Sequence, residues 1–217
     1  DLTKIIVGSE GTLATVTEAE LNLVELPNSK GLLVVEFDDI IKSMEASVLA
    51  LDLNPSAVEH IGEIIISEAR KSHEFSSGIE YLNSNPTDII VVEFYGENNL
   101  EVQDKISKLK RKVDISGLSL ASTEVIDTEM QKKVWNMRKA GLGLVMKKPG
   151  EAKAIPFVED TAVSPEKLPE YVKRFDEIVR QNGTTAGYYG HASVGCLHIR
   201  PLINLKKEED IKRMVKI

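Results

Sequence analysis

The chain has one cysteine and one tryptophan in 217 residues, and fewer basic than acidic side chains. A single cysteine excludes a disulfide framework, and it excludes a four-thiolate zinc or iron–sulfur site built from this chain alone. It also makes a reducing compartment the default, the cytoplasm or its membrane periphery. No apolar run approaches the roughly 18 residues of a spanning helix, so no membrane span is expected. With 27 Lys and Arg against 34 Asp and Glu, the formal charge is -7. That balance argues against non-specific nucleic-acid binding, which depends on basic contacts to phosphate. A small anionic substrate held by one or two placed cations is still allowed. The chain opens at Asp1 without methionine and ends in "KKEEDIKRMVKI", a helical pattern with no stop signal. These ends predict a piece of a longer protein.

The remaining composition is that of a soluble globular domain, with 42% hydrophobic and 28% charged residues. Lys4–Val7 reads as a short strand, Gly8–Gly11 as a tight turn, and Thr12–Leu26 alternates like a long strand. A strand at Gly31–Phe37, a helix at Asp39–Leu53, a short strand at Ala57–His60 and a helix at Gly62–Ser72 follow. After a turn-rich connector at Ser76–Asp88, "IIVVEFYG" echoes the earlier "LLVVEFDD" about 57 residues on. A helix at Leu100–Val113 and a strand at Leu118–Val125 complete the second strand–helix–strand unit. The expected class is α+β: an antiparallel sheet with helices packed on one face, built as duplicated ferredoxin-like units. Beyond it come one long helix over Thr128–Met146, a strand at Ala154–Asp160, a helix starting at Ser164-Pro165, and two closing strands.

"GYYGHASVGCLHIRP" places His191 and His198 seven residues apart in that last stretch. On a helix their separation is about 10.5 Å along the axis, too far for one ion. On one straight strand they face opposite ways. A hairpin turning at Val194-Gly195 makes them directly opposed partners on one face, at the distance where two imidazoles can share a metal. Two ordinary histidines remain the alternative, because two ligands alone seldom make a site. Cys196 can share the face of His198; a small buried hydrophobe is the plainer reading.

Three other features invite chemistry. "GSEGTL", Gly8–Leu13, is a glycine turn whose N–H groups can meet a phosphate or a flavin edge, although most such turns are only turns. Arg138 flanks a helical apolar stripe, where a guanidinium either binds a carboxylate bidentately or snorkels to solvent. Gly141 and Gly143 inside the same helix point to close approach by a neighbour. Glu159 and Asp160 can act as catalytic carboxylates or stand solvated at a strand end.

Taken in order, "IVGSEGTLATVTEAEL", "VWNMRKAGLGL", "PFVEDTAVSPEKLPEYV" and "GHASVGCLHIRP" resemble the FAD-linked dehydrogenases of D-2-hydroxy acids, especially the large bacterial members that continue into an iron–sulfur domain. The resemblance implies the fold of an FAD-linked oxidase C-terminal domain. It makes residues 1–26 the last part of a flavin domain and 27–217 a substrate or cap domain truncated at its end. Gly8, Ser9, Glu10, Gly11 and Thr12 would line the flavin pocket, and Arg138 would hold the substrate carboxylate with Lys153 as a second basic residue. His191 and His198 would bind a divalent metal, zinc by type. Ser193, Val194 and Cys196 depart from the family's usual glycine, aspartate and asparagine. The third ligand, the catalytic histidine and the iron–sulfur cluster would lie downstream, and the rest of the flavin domain upstream. The implied reaction is oxidation of a small 2-hydroxy acid with hydride transfer to flavin. A non-catalytic ferredoxin-like binding or assembly module, or a flavoenzyme like the alkyl-glycerone-phosphate synthases, are the rival readings.

Overall fold

The computed structural model describes residues 2–217. In chain order the first half forms α1 (Leu2–Val7), β1 (Ser29–Phe37), α2 (Ile40–Leu51), β2 (Ala57–Ile61), α3 (Glu63–Lys71), β3 (Asp88–Gly96), α4 (Asn99–Ser116) and β4 (Ala121–Val125). The second half forms α5 (Thr128–Lys139), α6 (Gly141–Lys147), β5 (Lys153–Ala154), β6 (Thr161–Ala162), α7 (Leu168–Gln181), β7 (Ala186–His191), β8 (Cys196–Ile203) and α8 (Glu208–Lys216).

The two echoed runs become the central antiparallel pair. β1 and β3 are in register from Ser29↔Gly96 to Phe37↔Asp88. Every residue from Leu32 to Phe37 and from Ile89 to Phe94 is buried. A strand buried on both faces reads as an apolar run rather than an alternation, and these two do, each interrupted by one buried glutamate, Glu36 and Glu93. The two strand–helix–strand halves interleave, so the sheet runs β4-β1-β3-β2-β7-β8-β5, with β6 also on β8. The duplication stops there, since the remaining strands add a hairpin and short edge pairs, not a second complete unit.

Helices cover both faces, which corrects the one-faced expectation. On one face α2, α4 and α7 pack through Met44, Ile106, Leu109 and Val172 onto Leu33, Val35, Ile90 and Val92. On the other, α3, α5 and α6 pack through Ile65, Val134, Met137 and Val145 onto Leu32, Val34, Ile89 and Val91. Capping follows the local chemistry. Asp39 accepts from the Ile41 and Lys42 amides, Asn98 from Glu101 and Asp127 from Met130. Gly117, in the left-handed region, closes α4. Pro169 falls in the first turn of α7, where its missing N–H costs nothing.

Four expected elements differ. Lys4–Val7 lies in helix α1, and residues 12–26 form no strand. A strand needs a neighbour for its ladder, and none of the described strands pairs with this segment; Leu21 and Leu23 stand 76% and 91% exposed. The long helix is two, divided at Ala140. Gly141 lies where an added Cβ would come within 3.0 Å of Ile65 on α3, so close packing sets the division. The strand expected over 154–160 is only Lys153–Ala154, and the chain passes irregularly to β6 with Asp160 at φ 57°.

Candidate active site

The site is built on the sheet face that carries α3, α5 and α6. Glu59 on β2 pairs across the ladder with His191 on β7, and Tyr189 pairs with His198 on β8. Because side chains alternate, Glu59, Tyr189, His191, His198 and Arg200 all project from one face. The β7–β8 register also corrects the hairpin. His191 faces Cys196, and the turn takes four residues, Ala192–Gly195, with Gly195 left-handed at φ 69°. The pairing moves by two residues, which keeps both histidines on one face but makes them diagonal neighbours rather than direct partners. Their rings meet edge to face with centroids 5.5 Å apart.

Each imidazole is backed by carboxylate. His191 Nδ1 lies 2.6 Å from Glu59 Oε1. His198 Nδ1 lies 2.7 Å from Glu159 Oε1 and 2.6 Å from Asp160 Oδ1. For His191, engagement of Nδ1 leaves Nε2 as the edge that can ligate, whereas the buried His198 Nδ1 makes no hydrogen bond. An ion held about 2.0–2.1 Å from one nitrogen of each of two rings, at a tetrahedral angle, sets the centroids roughly 5 Å apart. The observed spacing and the donor set therefore fit a divalent metal. Glu159, Asp160 and His198 also bring one donor atom each within 4.8 Å of one another. Glu159 and Asp160, offered by the sequence as carboxylates of uncertain duty, thus reach the site from the irregular stretch before β6.

The cations are paired too. Arg138, at the end of α5, donates from Nε to Glu59 Oε2 at 2.7 Å, with Nη2 also 2.7 Å from the same oxygen. Its guanidinium lies over the Tyr189 ring, 5.3 Å from the centroid. Arg200 Nη2 meets Glu159 Oε2 at 2.7 Å. The Tyr189 phenol titrates above its ordinary range, chiefly through burial. Burial, then Asp160, Glu159 and Glu59, push the Cys196 thiol up.

Lys153 stands apart. It pairs with Ile203 at the sheet edge and its Nζ donates to the Lys148 carbonyl at 2.9 Å, with no hydrogen bond or ion pair to the cluster. Gly8, Ser9, Glu10, Gly11 and Thr12 form a turn whose hydroxyls bond locally, Ser9 to Ile6 and Thr12 to Ser9. Glu59, Tyr189 and Arg200 were missed by the sequence reading. A glutamate beside a histidine in the short strand "AVEHI" was the available signal for the first.

The fold is shared with solved structures of low sequence identity. It matches alkyldihydroxyacetonephosphate synthase with a TM-score of 0.62 at 19% identity, over 99% of this chain and 42% of that one. It matches p-cresol methylhydroxylase at 0.57 and 11%, over 86% and 41%. Residues 26–217 match the family described as FAD linked oxidases, C-terminal domain, and the chain belongs to that family. Among curated proteins it is 31% identical to a D-2-hydroxyglutarate dehydrogenase of Haemophilus influenzae, over 98% of this chain and 22% of the relative. It is 30% identical to the Escherichia coli protein of that name, over 94% and 21%, and 27% identical to a D-lactate dehydrogenase of Archaeoglobus fulgidus, over 93% and 42%. The chain thus spans about a fifth of the length of the first two.

Proposed function

We propose that this chain supplies the substrate-facing half of the active site of a flavin-linked dehydrogenase that oxidises a D-2-hydroxy acid to the 2-oxo acid. The carrying observation is the convergence of Arg138 with the edge-to-face pair His191 and His198 on one sheet face. Family membership and the names of the similar proteins support it.

In this reading Arg138 binds the substrate carboxylate through the guanidinium edge that Glu59 does not occupy, while Tyr189 sits against its plane. His191 and His198 hold a divalent ion, zinc by ligand type, whose chemistry is to acidify the substrate hydroxyl. Bound flavin supplies the acceptor for the C2 hydride. Glu59 keeps a proton on His191 Nδ1, and Glu159 with Asp160 place negative charge beside His198. The group that takes the hydroxyl proton, a third metal ligand and the greater part of the flavin site belong, in this proposal, to other segments of a longer polypeptide. Residues 1–26 would be the end of its flavin domain, with Gly8–Thr12 as one edge of the flavin pocket. Residues 27–217 would be its substrate domain. Lys153 has a carboxylate-binding role only if the loop before β5 moves toward the cluster.

The test is turnover of D-2-hydroxy acids by the intact polypeptide with an artificial electron acceptor. Oxidation of one or more D acids, abolished in His191→Ala/His198→Ala, is expected; equal turnover by that double variant overturns the proposal.

A further inference from the structure

Glu59 divides its two carboxylate oxygens between two groups that the sequence holds far apart. It is 9% exposed in the middle of β2, where an unpaired charge would be costly. Oε1 takes His191 Nδ1 at 2.6 Å, and Oε2 takes Nε and Nη2 of Arg138, each at 2.7 Å. We propose that Glu59 is a positioning residue that couples His191 to Arg138, so that the ligating edge of one and the carboxylate-binding edge of the other are set by a single rigid group. The inference rests on the roles given to those two residues above.

A carboxylate is planar, and its oxygens cannot follow two partners independently. The contact at Oε1 fixes the His191 proton on Nδ1 and leaves the Nε2 lone pair for an ion. Both contacts at Oε2 fall on one edge of the guanidinium, which turns the opposite edge toward incoming carboxylate. Glu59 and His191 are neighbours on adjacent strands, whereas Arg138 arrives from the helix layer. Glu59 is therefore the joint between sheet and helix at this site. A mere counterion for a buried arginine would account for Oε2 but not for the histidine on Oε1.

An amide distinguishes the two. In Glu59→Gln the carbonyl must face the two N–H donors of Arg138, which turns the NH2 toward His191. The imidazole then accepts at Nδ1 and carries its proton on Nε2, where it blocks ligation. Shape and burial are unchanged.

The experiment is cobalt titration of the intact polypeptide, followed by calorimetry, with melting curves as the fold control. Glu59→Gln is expected to weaken cobalt binding about 10- to 100-fold, the range for such supporting partners, while melting like wild type. Arg138→Lys, which removes no ligand atom, is expected to weaken it about threefold or more, and to add nothing in the Glu59→Gln background. Should Glu59→Gln fail to fold, the Arg138→Lys result decides. Normal cobalt binding in Glu59→Gln, with binding lost in His191→Ala, leaves the metal reading standing and reduces Glu59 to a counterion. Weakened binding in Glu59→Gln with no effect of Arg138→Lys overturns the coupling. Normal binding in His191→Ala overturns the metal reading and the coupling with it.

Discussion

Arg138 carries the most specific expectation at the scale of single residues. Its side chain is 12% exposed and its guanidinium uses one edge on Glu59, so a lysine there keeps the charge and loses the planar fork. Arg138→Lys should cut kcat/KM for D-2-hydroxy acids about 10- to 100-fold, the worth of a charge-assisted hydrogen bond, with flavin content unchanged. Unaltered kinetics in steady-state assays would remove Arg138 from the substrate site. Cys196 tests the electrostatics independently. Its thiol titrates above the ordinary range, and the thiolate is the nucleophile, so reactivity stays low at neutral pH and climbs only as pH rises through the elevated pKa. Iodoacetamide should label it roughly tenfold more slowly than glutathione at pH 7.5; equal rates would show an unshielded thiol. At this scale the sequence was legible where residue types are rare, as with two histidines beside a cysteine. Glu59 is one of many acids, and only its placement distinguishes it.

The β7–β8 hairpin is the element on which the site depends. Gly195 at φ 69° closes it, and an added Cβ would lie 1.9 Å from the Val163 carbonyl oxygen. Gly195→Ala should cost about 2–3 kcal/mol in urea denaturation, from backbone strain plus displacement of the chain before α7. A loss below about 0.5 kcal/mol would mean that the turn rearranges freely. The sequence pointed to a turn here because glycine favours positive φ, yet it misplaced the pairing by two residues, setting His191 opposite His198 instead of Cys196. Turn length depends on how residues 163–165 pack beneath Gly195, which is a contact distant in sequence. The division between α5 and α6 has the same origin: the glycine was visible, its neighbour Ile65 was not.

For the whole molecule, the contrast lies between a dense two-faced core and the exposed stretch before it. Helix α1 buries nothing, and Leu13, Val16, Leu21, Leu23 and Val24 are all more than half exposed. The turn at Gly8–Thr12 offers a flavin one edge at most, so the 217-residue chain, purified and mixed with FAD, should remain colourless after gel filtration. Stoichiometric yellow colour by absorbance would place the flavin site within this chain.

Burial, helix faces and the central strands were determined by the sequence itself. A hydrophobic period of four and three specifies a helix stripe, and a short apolar run bounded by turn residues specifies a strand, whereas helices on both faces of the sheet emerged only in the structure. Family membership was legible for a related reason, as four motifs stand in a fixed order along most of the chain. Tertiary structure alone decided that Glu59 would stand against both His191 and Arg138, and that Glu159 and Asp160 would reach His198. These contacts join charged groups from different strands, a helix and an irregular loop. Charged side chains lack the periodic signature of a core, so only the sheet register and the packing of α5 on it select which of them meet.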